Sequence, residues 1–246
     1  MTEPNTLPPL FYHPELEESD QHVVIVGQEA AHISRSRRLG EGDSVHLTDG
    51  NGVLVRCRMV SLQPRPLVLQ LAIEQREVVS RPTVEMVLAA ALVKGERQSV
   101  MLDMATQLGM SRFIPLRCER SVVRFQPGMV VRWQRIIRSS CKQCRQCYFP
   151  ILDEEKDITP VVEAKASTTL MWVGDHNGMS ISQIDPGIMK PVENIILLVG
   201  PEGGFSDIEL EILAQHGASR VALGKQILRT ETAAVSLLAA VNHFLR

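Results

Sequence analysis

The chain has 246 residues, a formal net charge of −2 and 44% hydrophobic residues, enough to bury a substantial core in one or two domains. That charge excludes a uniformly basic nucleic-acid coat but leaves a local basic patch open. No apolar run approaches the ~18 residues of a membrane span, and "MTEPNTLPPLFYHPE" at the N-terminus has neither the basic nor the apolar region of an export signal.

The five cysteines, Cys57, Cys118, Cys141, Cys144 and Cys147, are an odd set in a chain without a signal, so reduced thiols in the cytoplasm are expected. Short β-type runs come first, over residues 23–26, 45–47, 53–60 and 67–73, separated by the turn signals "GEGD" and "DGNG". They predict a small β-barrel or sandwich. The chain changes character near "REVVSRPTVE", residues 76–85. Beyond it, "VEMVLAAALV" reads as a buried strand, "ERQSVMLDMATQLG" as a helix closed by Gly109, "RFIPL" as a short strand and residues 130–147 as a helix. "TLMWVG", "IILLVG" and "RVALG" are further buried strands. Strands alternating with helices imply a parallel sheet covered on both faces.

Charge is segregated in the middle of the chain. From Arg112 to Arg145 the basic residues are Arg112, Arg117, Arg120, Arg124, Arg132, Arg135, Arg138, Lys142 and Arg145, against one acid, Glu119. Arg135, Arg138, Lys142 and Arg145 recur at helical spacing and predict one basic stripe, either a solvated helix face or a surface for a polyanion. A smaller cluster, Arg35-Ser36-Arg37-Arg38, lies near the N-terminus beside His32. Cys141, Cys144 and Cys147 fall on the predicted helix. Structural zinc usually takes four ligands, often as two separated pairs, so these read as half-buried thiols and no metal is expected. His13, His22, His46, His176, His216 and His243 show no ligand spacing either.

Residues 195–218 read "IILLVGPEGGFSDIELEILAQHGA". An apolar strand breaks into Gly200-Pro201-Glu202-Gly203-Gly204, and Ser206 with Glu209 has the spacing of a capping box that starts a helix at once. No Lys-Ser/Thr follows the glycines, so this is no P-loop. The G-x-x-G-G spacing with an acid inside is not the dinucleotide fingerprint either. Glu202 repels a pyrophosphate, so the loop suits a ligand that is neutral or cationic where it meets the chain; the plain alternative is a tight strand-to-helix turn. In the last stretch, "VALGKQILRTETAAVSLLAAVNHFLR", a strand ends at Leu223-Gly224 and a loop carries Arg229-Thr230-Glu231-Thr232. A helix that is apolar at nearly every position then closes the chain. Such a helix is buried all round, at a C-terminus often by a partner subunit. Thr230 as N-cap and Glu231 in the first turn are ordinary, but a cation at position 229 opposes the helix dipole.

Together, "LLVGPEGGFSDIE" and "LGKQILRTETAA" resemble the bacterial 16S ribosomal RNA uridine-N3 methyltransferases of the SPOUT class, and "HISRSRRLGEGDSVHLTDGNG", "KGER", "QLG" and "CERS" extend the resemblance along nearly the whole chain. The resemblance implies a PUA-like RNA-binding β-barrel over residues 1–76. An α/β methyltransferase domain with a deep trefoil knot would follow over residues 77–246. It implies S-adenosylmethionine as methyl donor, a homodimer, and a uridine of the small-subunit decoding region in 16S ribosomal RNA or the small ribosomal subunit as target. Leu198, Gly200, Glu202, Gly203 and Gly204 would line one side of the donor, and Leu223, Gly224, Ile227, Leu228 and Arg229 the other. Arg229 is the candidate for stabilising charge on the uracil, and Glu231 for orienting Arg229 or taking the N3 proton. Arg35, Arg38, Arg120, Arg135, Arg138, Lys142 and Arg145 form the expected RNA surface. Met104, Gln107 and Lys142 depart from the family pattern. Another ribosomal or transfer RNA position, or a noncatalytic RNA-binding dimer, are the alternatives.

Overall fold

A computed structural model describes residues 7–35, 39–190 and 192–245. The chain forms two compact units, residues 1–81 with 141–149, and residues 82–140 with 150–246.

The first unit contains β1 (Leu10–Tyr12), β2 (His22–Val26), α1 (Gly27–Arg35), β3 (Ser44–Thr48), β4 (Val53–Pro64) and β5 (Leu67–Val78). They make one sheet in the order β1-β3-β4-β5-β2, not the two layers of a sandwich. Alternation puts Val23, Ile25, Val45, Leu47, Val55, Cys57, Met59, Leu69 and Leu71 on one face, where Ala30 and Ile33 of α1 join them in a core. Register shifts in β4 after Arg56 and Met59 let that strand bend. Three-residue β1 and α1 were not read from the sequence.

Residues 141–149 belong to this unit. Tyr148 bridges to Asn51, the Gly52 amide donates to the Cys147 carbonyl at 3.0 Å, and Lys142 pairs with Glu29 at 3.1 Å. The helix predicted over 130–147 is α3, Gly128–Cys144. Arg145 ends it in the left-handed region at φ 64°, donates to the Pro8 carbonyl and contacts His46 Nδ1. The expected four-residue stripe is therefore split. Arg135 and Arg138 are exposed on α3, whereas Lys142 and Arg145 are engaged inside the first unit.

The second unit is built on β6 (Glu85–Ala91), β7 (Arg112–Leu116), β8 (Ile151–Leu152), β9 (Thr169–Ser180), β10 (Asn194–Val199) and β11 (Ser219–Ala222). All pairs are parallel, in the order β11-β9-β10-β6-β7-β8. Its helices besides α3 are α2 (Glu96–Gln107), α4 (Ile158–Glu163), α5 (Asp207–Gln215) and α6 (Thr230–Phe244). Successive β6 side chains serve opposite cores. Met86, Leu88 and Ala90 meet residues of α2, α3 and α6, while Val87, Ala89 and Ala91 meet those of α4 and α5. The expected two-sided parallel sheet is present.

α6 is not buried all round. Ala234, Leu237, Leu238 and Val241 are fully buried at i, i+3, i+4 and i+7, against α2 and the sheet, whereas Thr232, Ala239 and His243 are exposed. Its own unit satisfies most of its apolar face, so that pattern alone does not require a partner. No helix among the described residues is long and apolar enough to cross a membrane.

Candidate functional site

In open parallel sheets, ligands bind where strands end and the chain turns back, at the carboxyl edge. Here the loops after β10 and β11 and a turn inside β9 enclose a cavity of about 490 Å³. The β9 turn was not foreseen. β11 pairs with Trp172 and Val173 and then with Met179 and Ser180, so residues 174–178 leave the ladder. Only glycine fits at 178, because a Cβ there would lie 2.5 Å from the Arg220 backbone carbon. The excluded segment brings Asp175, His176 and Asn177 to the cavity wall.

Gly200, Glu202, Gly203, Gly204, Leu223, Gly224, Ile227 and Leu228 all line this cavity. Leu198 does not. It is fully buried in β10 and packs in the core beneath. Arg229 is exposed at the start of α6 and is also outside the lining.

The two motif loops are fastened to each other and to their surroundings. Thr230 donates its hydroxyl to the Gly200 carbonyl at 3.0 Å. It is the first helical residue, and Arg229 occupies the cap position expected for Thr230. Gly204 adopts φ 71° and closes a turn by donating to the Pro201 carbonyl at 2.8 Å, a conformation that favours glycine. A Cβ at Gly200 would come within 3.1 Å of Phe205. Arg120, expected on the RNA surface, donates to the carbonyls of Gly203 at 3.0 Å and Phe205 at 3.2 Å, so it holds the glycine loop. The capping box is present. The Ser206 amide donates to Glu209 Oε2 at 2.7 Å and the Glu209 amide to the Ser206 hydroxyl at 3.4 Å. Glu209 Oε1 further accepts from the Glu119 amide at 2.8 Å.

The residue that sequence reasoning missed is Arg97. From the first turn of α2 its guanidinium reaches Glu202 at 2.6 Å and Glu231 at 3.7 Å. The hydrogen bond from Arg97 holds the Glu202 carboxyl below its ordinary range, and the same bond raises Arg97 further. Glu231, expected to face Arg229, is thus paired with Arg97. Its Oε2 is buried with no hydrogen-bond partner among the described residues. Across the cavity Asp175 pairs with Arg220 at 2.6 Å. Burial pushes the Asp175 carboxyl up, but the Arg220 bond and the Asn177 amide outweigh it and hold it down. Both arginines of the cavity wall are therefore already committed, Arg120 to carbonyls and Arg220 to a carboxylate. Among the described residues the lining offers no uncommitted cation for a polyphosphate, and the cavity has room for a ligand of cofactor size.

Of the remaining expected RNA residues, Arg38 and the side chain of Arg35 lie outside the described part of the structure. None of the five cysteines is in a disulfide; Cys144 is half-buried and the others are buried.

The model of an RNA methyltransferase domain matches residues 80–242, and that of an RNA methyltransferase PUA domain matches residues 25–72. Two proteins named ribosomal RNA small subunit methyltransferase E illustrate the relationship. That of Mycobacterium bovis is 30% identical over 242 residues, covering 95% of this chain and 90% of its own length. That of Bacillus subtilis is 26% identical over 236 residues, covering 89% of each. The crystal structure of the Neisseria gonorrhoeae protein of the same name, bound to S-adenosyl methionine, superposes with a TM-score of 0.85. It is 26% identical and covers 96% of this chain and 98% of that one. With a catalytic-domain model matched over most of its length and a relative at that identity along nearly all of it, the chain belongs to the RNA methyltransferase family that includes the ribosomal RNA small subunit methyltransferases E.

Proposed function

We infer that this protein transfers a methyl group from S-adenosylmethionine to N3 of a uridine in the decoding region of 16S ribosomal RNA. The observation that carries the reading is the cavity at the carboxyl edge, enclosed by the Gly200–Gly204 and Leu223–Leu228 loops and tied across by Thr230 and Gly200. Its fit to the donor rests on charge and backbone. The lining carries glycines that admit close approach and, among the described residues, no uncommitted cation to repel a sulfonium. When bound, the donor supplies a methyl group on a positively charged sulfur.

The chain's own residues do the rest. Arg97 holds Glu231 in place by their ion pair, and the Glu231 carboxylate accepts the N3 proton once the docked base exposes Oε2, which is buried without it. Arg229, at the mouth of the same loop, stabilises the negative charge that this leaves on O2 or O4. Arg135 and Arg138 meet phosphates of the RNA, with Arg35 and Arg38 of the PUA-like domain. The methyltransferase domain carries the deep trefoil knot of SPOUT enzymes. It pairs as a homodimer through the exposed apolar residues Val100 and Met104 of α2 and the neighbouring α6. The protein works in the cytoplasm.

The test is to incubate small ribosomal subunits or 16S ribosomal RNA from cells lacking the gene with protein and isotopically labelled S-adenosylmethionine. The product is then mapped by mass spectrometry. N3-methyluridine at one position is expected, and label on another base atom or none at all overturns the reading.

A further inference from the structure

A second cavity opens on the same sheet edge. Ala90 of β6 is in register with Val199 of β10, so Leu92 and Val93 lie beside the glycine loop that leaves β10. There, between the start of α2 and the side of α3, is a cleft of about 150 Å³. Such ligands as cofactors occupy roughly 300–1,000 Å³, so this one takes a single ring.

Its walls and its polar groups differ sharply in kind. Leu92, Val93, Val123, Met129 and Trp133 are apolar. Trp133 is nearly buried and is held edge-on to Phe113 with ring centroids 5.8 Å apart, so it is a rigid wall. The buried polar group left without a partner is a donor. Gln98 is only 5% exposed. Its Oε1 accepts from the Val93 amide at 3.1 Å, which leaves Nε2 buried with no partner among the described residues. Gly95, in the same wall, is the N-cap of α2 and offers no side-chain cap, so the first amides of the helix are not satisfied by one. The Arg132 guanidinium is fixed at the rim by Glu96 at 2.7 Å and Ser99 at 3.0 Å. An apolar slot whose buried, unpartnered polar atom is a donor suits a flat ring that carries a carbonyl acceptor. Arg97, next to Gln98 in the chain, reaches Glu202 in the wall of the larger cavity, so the two cavities flank one residue.

We propose that this cleft holds one unstacked uracil of the RNA, other than the base that is methylated, with its O4 carbonyl oxygen on Gln98 Nε2. The occupant is not the reacting base. N3 of uracil lies between its two carbonyls, so a uracil docked by a carbonyl turns N3 toward the cleft wall. Cytosine would set its exocyclic amino group against Gln98 Nε2, where uracil sets O4. The proposal rests on the reading of this chain as a methyltransferase of folded ribosomal RNA, and gives that enzyme a sequence-reading subsite separate from the methyl-donor cavity.

The experiment titrates full-length protein with short single-stranded oligoribonucleotides of uridine or of cytidine, followed by tryptophan fluorescence. The wild type should bind the uridine oligomer about ten-fold more tightly or better. Gln98→Glu keeps the acceptor for the Val93 amide and removes the donor, so it should abolish or reverse that preference. Val123→Trp fills the slot and should weaken uridine binding about ten-fold. Both variants should keep wild-type affinity for S-adenosylmethionine, which shows that the second unit is folded. Equal affinity of the wild type for the two oligomers overturns the proposal, as does an unchanged uridine preference in both folded variants. Methyl transfer to ribosomal RNA by the wild type is measured in parallel. Its absence sinks the enzymatic reading, whereas transfer without a uridine preference sinks this inference alone.

Discussion

The hydroxyl of Thr230 donates to the carbonyl of Gly200 at 3.0 Å, which fastens the first residue of α6 to the residue that follows β10. Thr230 is 3% exposed, so removing the donor leaves a carbonyl without its partner in a place that water does not reach. Thr230→Val keeps the shape and should cost about 1 kcal/mol of stability. It should also weaken S-adenosylmethionine binding, because both loops of the cavity hang on this bond. Calorimetry and thermal melting check the two effects separately. Undiminished affinity would mean that each loop is held by its own contacts.

Gly203 faces a different neighbour. A Cβ there would meet the Arg120 side chain at 3.3 and 3.4 Å, and that side chain carries the bonds to Gly203 and Phe205. Gly203→Val should push Arg120 aside, release the loop and reduce donor affinity by about ten-fold or more, by roughly 1.4 kcal/mol per factor of ten. Gly203 itself is exposed, so the variant should melt close to wild type. A folded variant with unchanged affinity in calorimetry would show that the loop does not need this close approach.

Much of this architecture is legible because it is local. The run from Ile195 to Val199 becomes a strand, Ser206 and Glu209 cap the helix that follows, and Gly109 and Gly217 take φ 83° and 78° just past helix ends. What the sequence hides is long-range. Arg97 falls in the predicted helix, but nothing local marks its partner Glu202, 105 residues away, and only the folded sheet brings them together. The turn at residues 174–178 is hidden for a related reason. Its apolar beginning continues a strand pattern, and the Arg220 backbone that passes close to Gly178 comes from a strand far along the chain. Arg145 fits a helical spacing, but its backbone leaves the helix, a fact that counting positions does not reveal.

The split of the basic stripe makes the RNA prediction narrower. Lys142 and Arg145 already have partners in Glu29, Pro8 and His46, so reversing them disturbs the first unit. Arg135 and Arg138 are exposed on α3. Arg135→Glu with Arg138→Glu should weaken ribosomal RNA binding and lower the slope of log affinity against log salt by about one unit for each phosphate no longer neutralised. Donor affinity should not change. A slope equal to wild type in filter-binding titrations across salt would place the phosphate-binding surface on another face.

Arg229 gives the sharpest test. It caps α6 with a cation, where the helix dipole disfavours one. The acid two residues on does not offset it, because Glu231 is paired with Arg97. A positive charge kept at such a position, exposed beside the loop that lines the cavity, matches a substrate that becomes negative during reaction. Uracil does so when N3 loses its proton. This stabilisation is felt mainly in the transition state, so Arg229→Ala should lower kcat much more than it weakens RNA or donor binding. One preorganised donor is typically worth ~10²–10³ in kcat. Glu231→Gln should also be slow, and if Glu231 takes the proton, raising the pH should restore part of its rate as the uracil ionises unaided. Arg97→Ala should resemble Glu231→Gln, because it acts by holding that carboxylate. Single-turnover methyl transfer over a pH series separates these roles. A near wild-type rate in Arg229→Ala would make the arginine a structural cap, and a rate in Glu231→Gln that ignores pH would move the base elsewhere.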